Sequence, residues 1–241
     1  MVKQDVIYWM TAPQVNRRAA AFALAMSFAC APAGNKSSET ATTRTDTARV
    51  ATAPLDSNIT RADRARIQGS ANAPLWVIEV SDFQCPYCKQ WHDQTYNAFL
   101  DQYVKTGKVR LAYVNFPLGI HAYAWPAAEA AMCAGAQDKF WPMHDSLFAS
   151  QARWESVADP APMFDSLARA TGVDVARWRD CVKSGKMKPL IQADHDRADR
   201  AGVGATPSFM IGDKLIAGAV PLSDMQRVID SALVKSKKTT P

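Results

Sequence analysis

The 241-residue sequence predicts an α/β fold in which a β-α-β unit and a β-β-α unit bracket a helical insertion. Three observations carry this reading. Leu75 to Val80 (LWVIEV) is an almost unbroken apolar run, as expected of a strand buried on both faces of a mostly parallel sheet. Residues 121–202 are patterned as helix throughout, with no convincing strand among them. Beyond them, SFMI and LIAG flank the turn residues Gly212 and Asp213, the pattern of a hairpin.

Within the first thirty residues, Arg17 and Arg18 precede AAAFALAMSFA, an apolar stretch of about eleven residues, too short for a bilayer that needs about twenty. That shape predicts an export signal over residues 1–30 and a product that works in a periplasmic or other extracytoplasmic space. Ser, Thr, Ala, Asn and Pro dominate the chain after it, so residues 31–60 are expected to form a disordered linker. Cys30 follows Ser27, Phe28 and Ala29, which only loosely resembles the lipobox of bacterial lipoproteins because the usual leucine is missing. Two outcomes stay open: a lipid anchor on Cys30 with the polar stretch as its tether, or a leader on a soluble product.

The two β units are expected to make one domain from residues 61–120 and 203–236. After the first strand, Pro86 suits a first helical turn, where its missing N–H costs nothing. Tyr96, Phe99, Leu100, Tyr103 and Val104 then recur on one helical face, Gly107 stops that helix, and Val109 to Phe116 reads as a second strand. In the insertion (121–202), Pro126 marks one helix start, Gly172 and Gly185 mark two ends, and Trp178, Cys181 and Val182 share a face. The hairpin leads into a final helix with Ser223 as its predicted N-cap, Gln226 three residues on, and Met225, Val228, Ile229, Ala232 and Leu233 on its apolar side.

Composition narrows the function. The formal net charge is +5, yet only 21% of residues are charged and the one dense basic run, KSKK, sits in the C-terminal tail, so nucleic-acid binding is not expected. Outside the cytosol disulfides form and persist, which sets the context for Cys85, Cys88, Cys133 and Cys181. Cys85 and Cys88 lie at the strand-to-helix corner. Zinc would need four ligands there, and beyond His92 on the next turn no second pair at customary spacing completes a site. Haem attachment through C-x-x-C-H fails because residue 89 is Lys. A bridge across two residues removes little unfolded-chain entropy, so reversible chemistry is favoured over a structural staple. At a helix N-terminus, unpaired N–H groups and the positive end of the macrodipole favour a thiolate on Cys85. Lowering a cysteine pKa from about 8.5 to about 6 raises its thiolate fraction at pH 7 from about 3% to about 90%. Cys85 is therefore the expected attacked sulfur and leaving group, and Cys88, one turn inside, the resolving thiol.

FQCPYC after a strand, GATPSFMIG before a late hairpin and the helices between them resemble the DsbA-like thiol:disulfide oxidoreductases of bacterial cell envelopes, a branch of the thioredoxin superfamily; the likeness spans roughly residues 60 to 235. It implies a thioredoxin fold, no organic cofactor and no metal, cysteine-containing envelope proteins as substrates, and a separate redox partner that regenerates the pair. It also implies a cis bond at Pro207, with Thr206 and Pro207 as the wall on which an extended substrate docks. X-Pro bonds alone adopt cis at modest cost, and the Thr206 backbone would then offer a β-pairing edge; an ordinary trans proline on an edge strand is the alternative. The Pro-Tyr dipeptide departs from the Pro-His of the strongest oxidants and matches glutaredoxins and DsbG-type proteins, which places the expected potential in or near the interval from roughly −120 to −230 mV. DsbG-type proteins carry an N-terminal dimerisation domain. The polar segment here is too short for one, so a monomer is expected and an isomerase role is not.

Glu79 lies six residues before Cys85, and a carboxylate within an apolar strand is costly unless it has a partner or a job. The resemblance implies that it relays protons to the buried cysteine; a carboxylate merely reaching the sheet edge is the alternative. Asp82 reads as a loop or cap residue, Phe83 and Trp91 as core or groove wall, and His92 as a surface residue of the first helix. Cys133 and Cys181 have no partner at metal spacing and sit near apolar faces of the insertion, so a structural disulfide is expected, with two buried thiols as the alternative. The whole describes an exported thiol:disulfide oxidoreductase acting as an oxidase. Its rivals are an envelope thiol reductase and a copper- or haem-delivery chaperone, the latter disfavoured because it would gain from Met or His beside the thiols.

Overall fold

The computed structural model describes residues 56–239, so the predicted export signal, Cys30 and all but the end of the predicted linker lie outside the described residues. Its centre is a five-stranded sheet in the order β1-β3-β2-β4-β5. Strand β2 (Leu75–Ser81) runs parallel to β3 (Val109–Asn115) and antiparallel to β4 (Ser208–Ile211), so it sits mid-sheet with both flanks paired. That position explains its unbroken apolar run, since neither face of a central strand meets water. β5 (Lys214–Ala217) closes the predicted hairpin, and the two-residue β1 (Ile67–Gln68) covers the other edge of β3.

Helix α1 (Ser57–Ala65) starts inside the stretch expected to be linker, which is a correction. Asp56 caps it by accepting from the Asn58 N–H at 2.8 Å, and Ala62 is fully buried. With SNITRADRA so polar, one buried alanine left too thin a hydrophobic pattern to read.

Helix α2 joins β2 to β3 in four consecutive segments, Pro86–Trp91, His92–Tyr96, Asn97–Phe99 and Leu100–Val104, of which the second and fourth are π-helical. Trp91, Phe99 and Tyr103 pack with Val77, Leu111 and Phe209 on one sheet face, together with Met225 and Ile229 of the last helix, α9 (Leu222–Thr239). Ser223 lies within the first turn of α9 rather than at its N-cap, because the helix begins one residue earlier, directly after Pro221.

Between β3 and β4 lie α3 (Ala124–Gly135), α4 (Phe140–Ala149), α5 (Gln151–Trp154), α6 (Ala161–Ala170), α7 (Val175–Ser184) and α8 (Lys188–Arg200). A disulfide of Cys133 with Cys181 ties α3 to α7, with Cα atoms 5.7 Å apart. Helix α8 is tied to the sheet by its fully buried Asp194, which pairs with Arg66 and accepts from Asn115 Nδ2 at 3.0 Å. The bridge closes a loop with a sequence separation of 48 residues. Replacing both cysteines by alanine is therefore expected to lower stability by about 4 kcal/mol in denaturant unfolding, through the entropy returned to the unfolded chain. A loss near zero would show that the packing of α3 and α7 needs no covalent help.

Candidate active site

Cys85 stands at the N-cap of α2, with Pro86 in the first turn. The corner that carries it is fixed from two sides. Asp82, buried at the end of β2, accepts from the Gln84 N–H at 2.7 Å and the Leu118 N–H at 2.9 Å, and lies 2.7 Å from His121 Nδ1. From the insertion, Gln151 Nε2 donates to the carbonyls of Phe83 (2.7 Å) and Cys85 (3.1 Å), and the Tyr123 N–H donates to Gln84 Oε1 at 2.6 Å. A loop with its backbone groups paired in this way holds its sulfurs in a set position.

Both cysteines are unbonded thiols, Cys85 3% exposed and Cys88 fully buried. Cys85 is pulled down to about 6, first by a hydrogen bond from the Cys88 thiol; burial opposes this, and the Thr206 hydroxyl and the Cys88 and Tyr87 backbone N–H groups add to it. The helix N-terminus expected to dominate is thus a contributor, and the neighbouring thiol is the larger influence. Cys88 is held well above an ordinary thiol, chiefly by burial and then by its partner sulfur. The pair is asymmetric: an anion is favoured on Cys85 and disfavoured on Cys88.

Thr206 and Pro207 approach Cys85 from the loop before β4, joined by a cis peptide bond. As a thiol, Cys85 Sγ donates to the Thr206 carbonyl at 3.4 Å, while the buried Thr206 hydroxyl has no partner among the described residues. That hydroxyl can donate once the sulfur is an anion. Replacing Thr206 by valine is expected to raise the Cys85 pKa by about one unit, the worth of one hydrogen bond to a charged group. An unchanged titration would remove Thr206 from the sulfur's surroundings. Tyr87, between the two cysteines, is 62% exposed, and Ile120, in the loop whose Leu118 N–H and His121 ring meet Asp82, is 85% exposed.

Glu79 lies opposite Tyr113 on one side and Phe209 on the other, in the centre of the sheet and 1% exposed. The sheet-edge alternative is thereby overturned. Neither carboxylate oxygen has a hydrogen-bond partner among the described residues, and burial pushes the group up to about 8 against the pull of the Ser81 hydroxyl and the His92 charge. Phe83 and Trp91 are core residues, each 1% exposed. His92 is not a surface residue: its side chain is 12% exposed and faces Asp93 and Asp145. Sequence reasoning missed Gln151, His121, His144 and Asp145, which come to the site from loops and helices of the insertion, with no motif to mark them.

The family model described as Thioredoxin matches residues 61–231. The chain belongs to the thioredoxin family. Among known proteins this thioredoxin-family chain is 29% identical over 171 residues to the probable disulfide bond formation protein D of Bacillus anthracis, covering 69% of this chain and 77% of that one. It is 31% identical over 176 residues to Na(+)/H(+) antiporter NhaA 1 of Salinispora arenicola, covering 73% of this chain and 26% of the antiporter. The chain thus spans about a quarter of the antiporter's length. In three dimensions it is similar to oxidised BdbD from Bacillus subtilis, with a TM-score of 0.64 at 22% identity over 70% of this chain and 92% of that one. The thioredoxin fold expected from the sequence is the fold observed.

Proposed function

We propose that this chain is a thiol:disulfide oxidoreductase that works as an oxidase, donating a Cys85–Cys88 disulfide to pairs of cysteines in exported proteins. The asymmetry of the two sulfurs carries the reading. A substrate thiolate attacks Cys85 Sγ, the Cys85–Cys88 bond breaks, and the electron pair stays on Cys88, which takes up a proton. The substrate's second thiolate then attacks its own sulfur in the mixed disulfide and releases Cys85 as a thiolate. With its pKa near 6, that thiolate is stable at neutral pH, which stabilises the reduced protein and makes its disulfide the more oxidising.

Thr206 and Pro207 would dock the substrate backbone, with Tyr87 and Ile120 giving an apolar rim. A second, unidentified redox partner must reoxidise Cys85 and Cys88. Glu79 would supply the Cys88 proton. The metal-chaperone alternative fits less well, because both thiols are buried and the His92 nitrogens face carboxylates rather than the sulfurs. An extracytoplasmic site of action rests on the Arg17–Arg18 and apolar leader pattern and on the disulfide between Cys133 and Cys181. No helix among the described residues is long and apolar enough to cross a membrane. Intact mass of the mature protein decides whether Cys30 carries a lipid.

Equilibration with glutathione buffers tests the direction of electron flow. A potential less negative than roughly −200 mV supports the oxidase, and one below roughly −270 mV makes the protein a reductase.

A further inference from the structure

Beside Cys88, on the α2 side of the sheet, five buried polar atoms lack a hydrogen-bond partner among the described residues: both oxygens of Glu79, the Ser81 and Tyr113 hydroxyls, and His144 Nε2. They form one connected patch. The Ser81 hydroxyl acts on Cys88, on Glu79 and on Tyr113, and Tyr113 faces Glu79 across the β2–β3 ladder. The His144 ring centroid lies 5.2 Å from that of Tyr113 and 5.5 Å from that of His92. Both imidazoles then turn to one carboxylate oxygen, Asp145 Oδ1, at 2.8 Å from His144 Nδ1 and 3.5 Å from His92 Nε2. The Asp145 side chain is 52% exposed, so the patch runs from a fully buried sulfur to solvent.

We propose that His92 and His144, with Asp145 at the surface, form the route by which protons pass between solvent and Glu79, and through Glu79 to the Cys88 sulfur. This rests on the oxidoreductase reading above. When a substrate thiolate bonds to Cys85 Sγ, the electron pair of the broken disulfide stays on Cys88; Glu79 gives up its carboxyl proton to that sulfur and recovers one from water through the imidazoles. No oxidant beyond the protein's own disulfide is needed. An imidazole suits this task because it accepts at one ring nitrogen while releasing from the other. Burial lowers the His144 pKa, so the ring passes a proton on rather than keeping it. His92, whose burial is outweighed by hydrogen bonds to Asp145 and Asp93, is raised and holds a proton at the outer end. The other ionisable groups facing this route are Lys89, Asp93 and Tyr96 of α2, Tyr113 of β3, and Asp82 beyond Ser81.

The test follows single-turnover oxidation of the reduced protein by excess oxidised glutathione, with alkylation to read the remaining thiols, because closing the disulfide sends the Cys88 proton to Glu79, which at neutral pH must first pass its own to solvent. A chelator is present because the His92, His144 and Asp145 donor atoms lie within 4.8 Å of one another and could hold a stray cation. Taking the ratio of variant to wild-type rate cancels the titration of the attacking Cys85 thiolate. At neutral pH, His92→Gln is expected to be about tenfold slower, as befits loss of an assisted proton transfer. The ratio should return to one above the pH near 8 at which Glu79 ionises, and added imidazole should restore part of the rate. In a Glu79→Gln background, His92→Gln should have no further effect. Asp145→Asn, at an exposed position, should slow the reaction over the same pH range and decides the matter if His92→Gln fails to fold. A merely structural role would give a ratio independent of pH and no rescue, which overturns the route, as does additivity with Glu79→Gln. In a separate assay, a wild-type disulfide that dithiothreitol reduces no faster than it reduces oxidised glutathione overturns the oxidoreductase reading itself, and the route with it.

Discussion

Cys88→Ser protein is expected to accumulate as mixed disulfides with its substrates through Cys85, and its turnover in oxidative refolding of a reduced substrate should fall at least about a hundredfold. The reason lies in the division of labour between the sulfurs. Cys85 has the favoured anion, at about 6, so it reacts; Cys88, buried and held well above an ordinary thiol, is the group that reverses a stalled adduct. Without Cys88 the first bond still forms when Cys85 meets an oxidised partner, and nothing within the protein can cleave it. Cys85→Ser should show no adducts, because the remaining sulfur is enclosed and its anion disfavoured. Non-reducing gels and mass spectrometry of alkylated samples read both results. Adducts carried by Cys88 instead would invert the assignment.

Glu79→Gln is expected to stabilise the protein by about 3 kcal/mol at pH 7, an unusual outcome for a change at a fully buried polar site. In the fold the carboxyl is raised to about 8, while in the unfolded chain it returns to its ordinary 4.5. Its folded-state pKa is the higher, so below the unfolded value both states are protonated and nothing is lost. As pH rises, the unfolded chain ionises first and gains solvation the buried group cannot have, so stability declines until the folded carboxyl also ionises near 8. Glutamine has the shape of the protonated form and cannot ionise. Denaturant unfolding at several pH values should therefore show a slope between about pH 5 and pH 8 in the wild type that is absent from the variant. Equal slopes would mean that Glu79 is ionised in the folded protein. The same variant should slow thiol exchange, so stability and activity move in opposite directions, as expected where a group is kept for function.

Local signals along the chain frame this site, and the rest depends on tertiary placement. The run Leu75 to Val80, Pro86 and the face from Tyr96 to Val104 are contiguous, so the strand, the corner and the helix could be placed from spacing alone. That Glu79 is central rather than at an edge follows from the strand order, which puts β4 against β2, and no pattern within β2 encodes that. Helix α1 was hidden by its polarity. His144 and Asp145 lie 56 and 57 residues beyond Cys88 in sequence, on a helix whose pattern speaks only of packing. Gln151, which holds the Cys85 carbonyl, likewise gains its meaning only when the insertion folds onto the corner.

The most direct measurement is the ultraviolet absorbance of the Cys85 thiolate as the reduced protein is titrated, with Cys88→Ala as the control that removes the neighbouring thiol. The account predicts half-ionisation of Cys85 near pH 6 in the wild type and a clear rise in the control, since the Cys88 hydrogen bond is the largest influence lowering it. Ionisation at the ordinary cysteine value of about 8.5 in both proteins would contradict it, and with it the exchange chemistry assigned to this site.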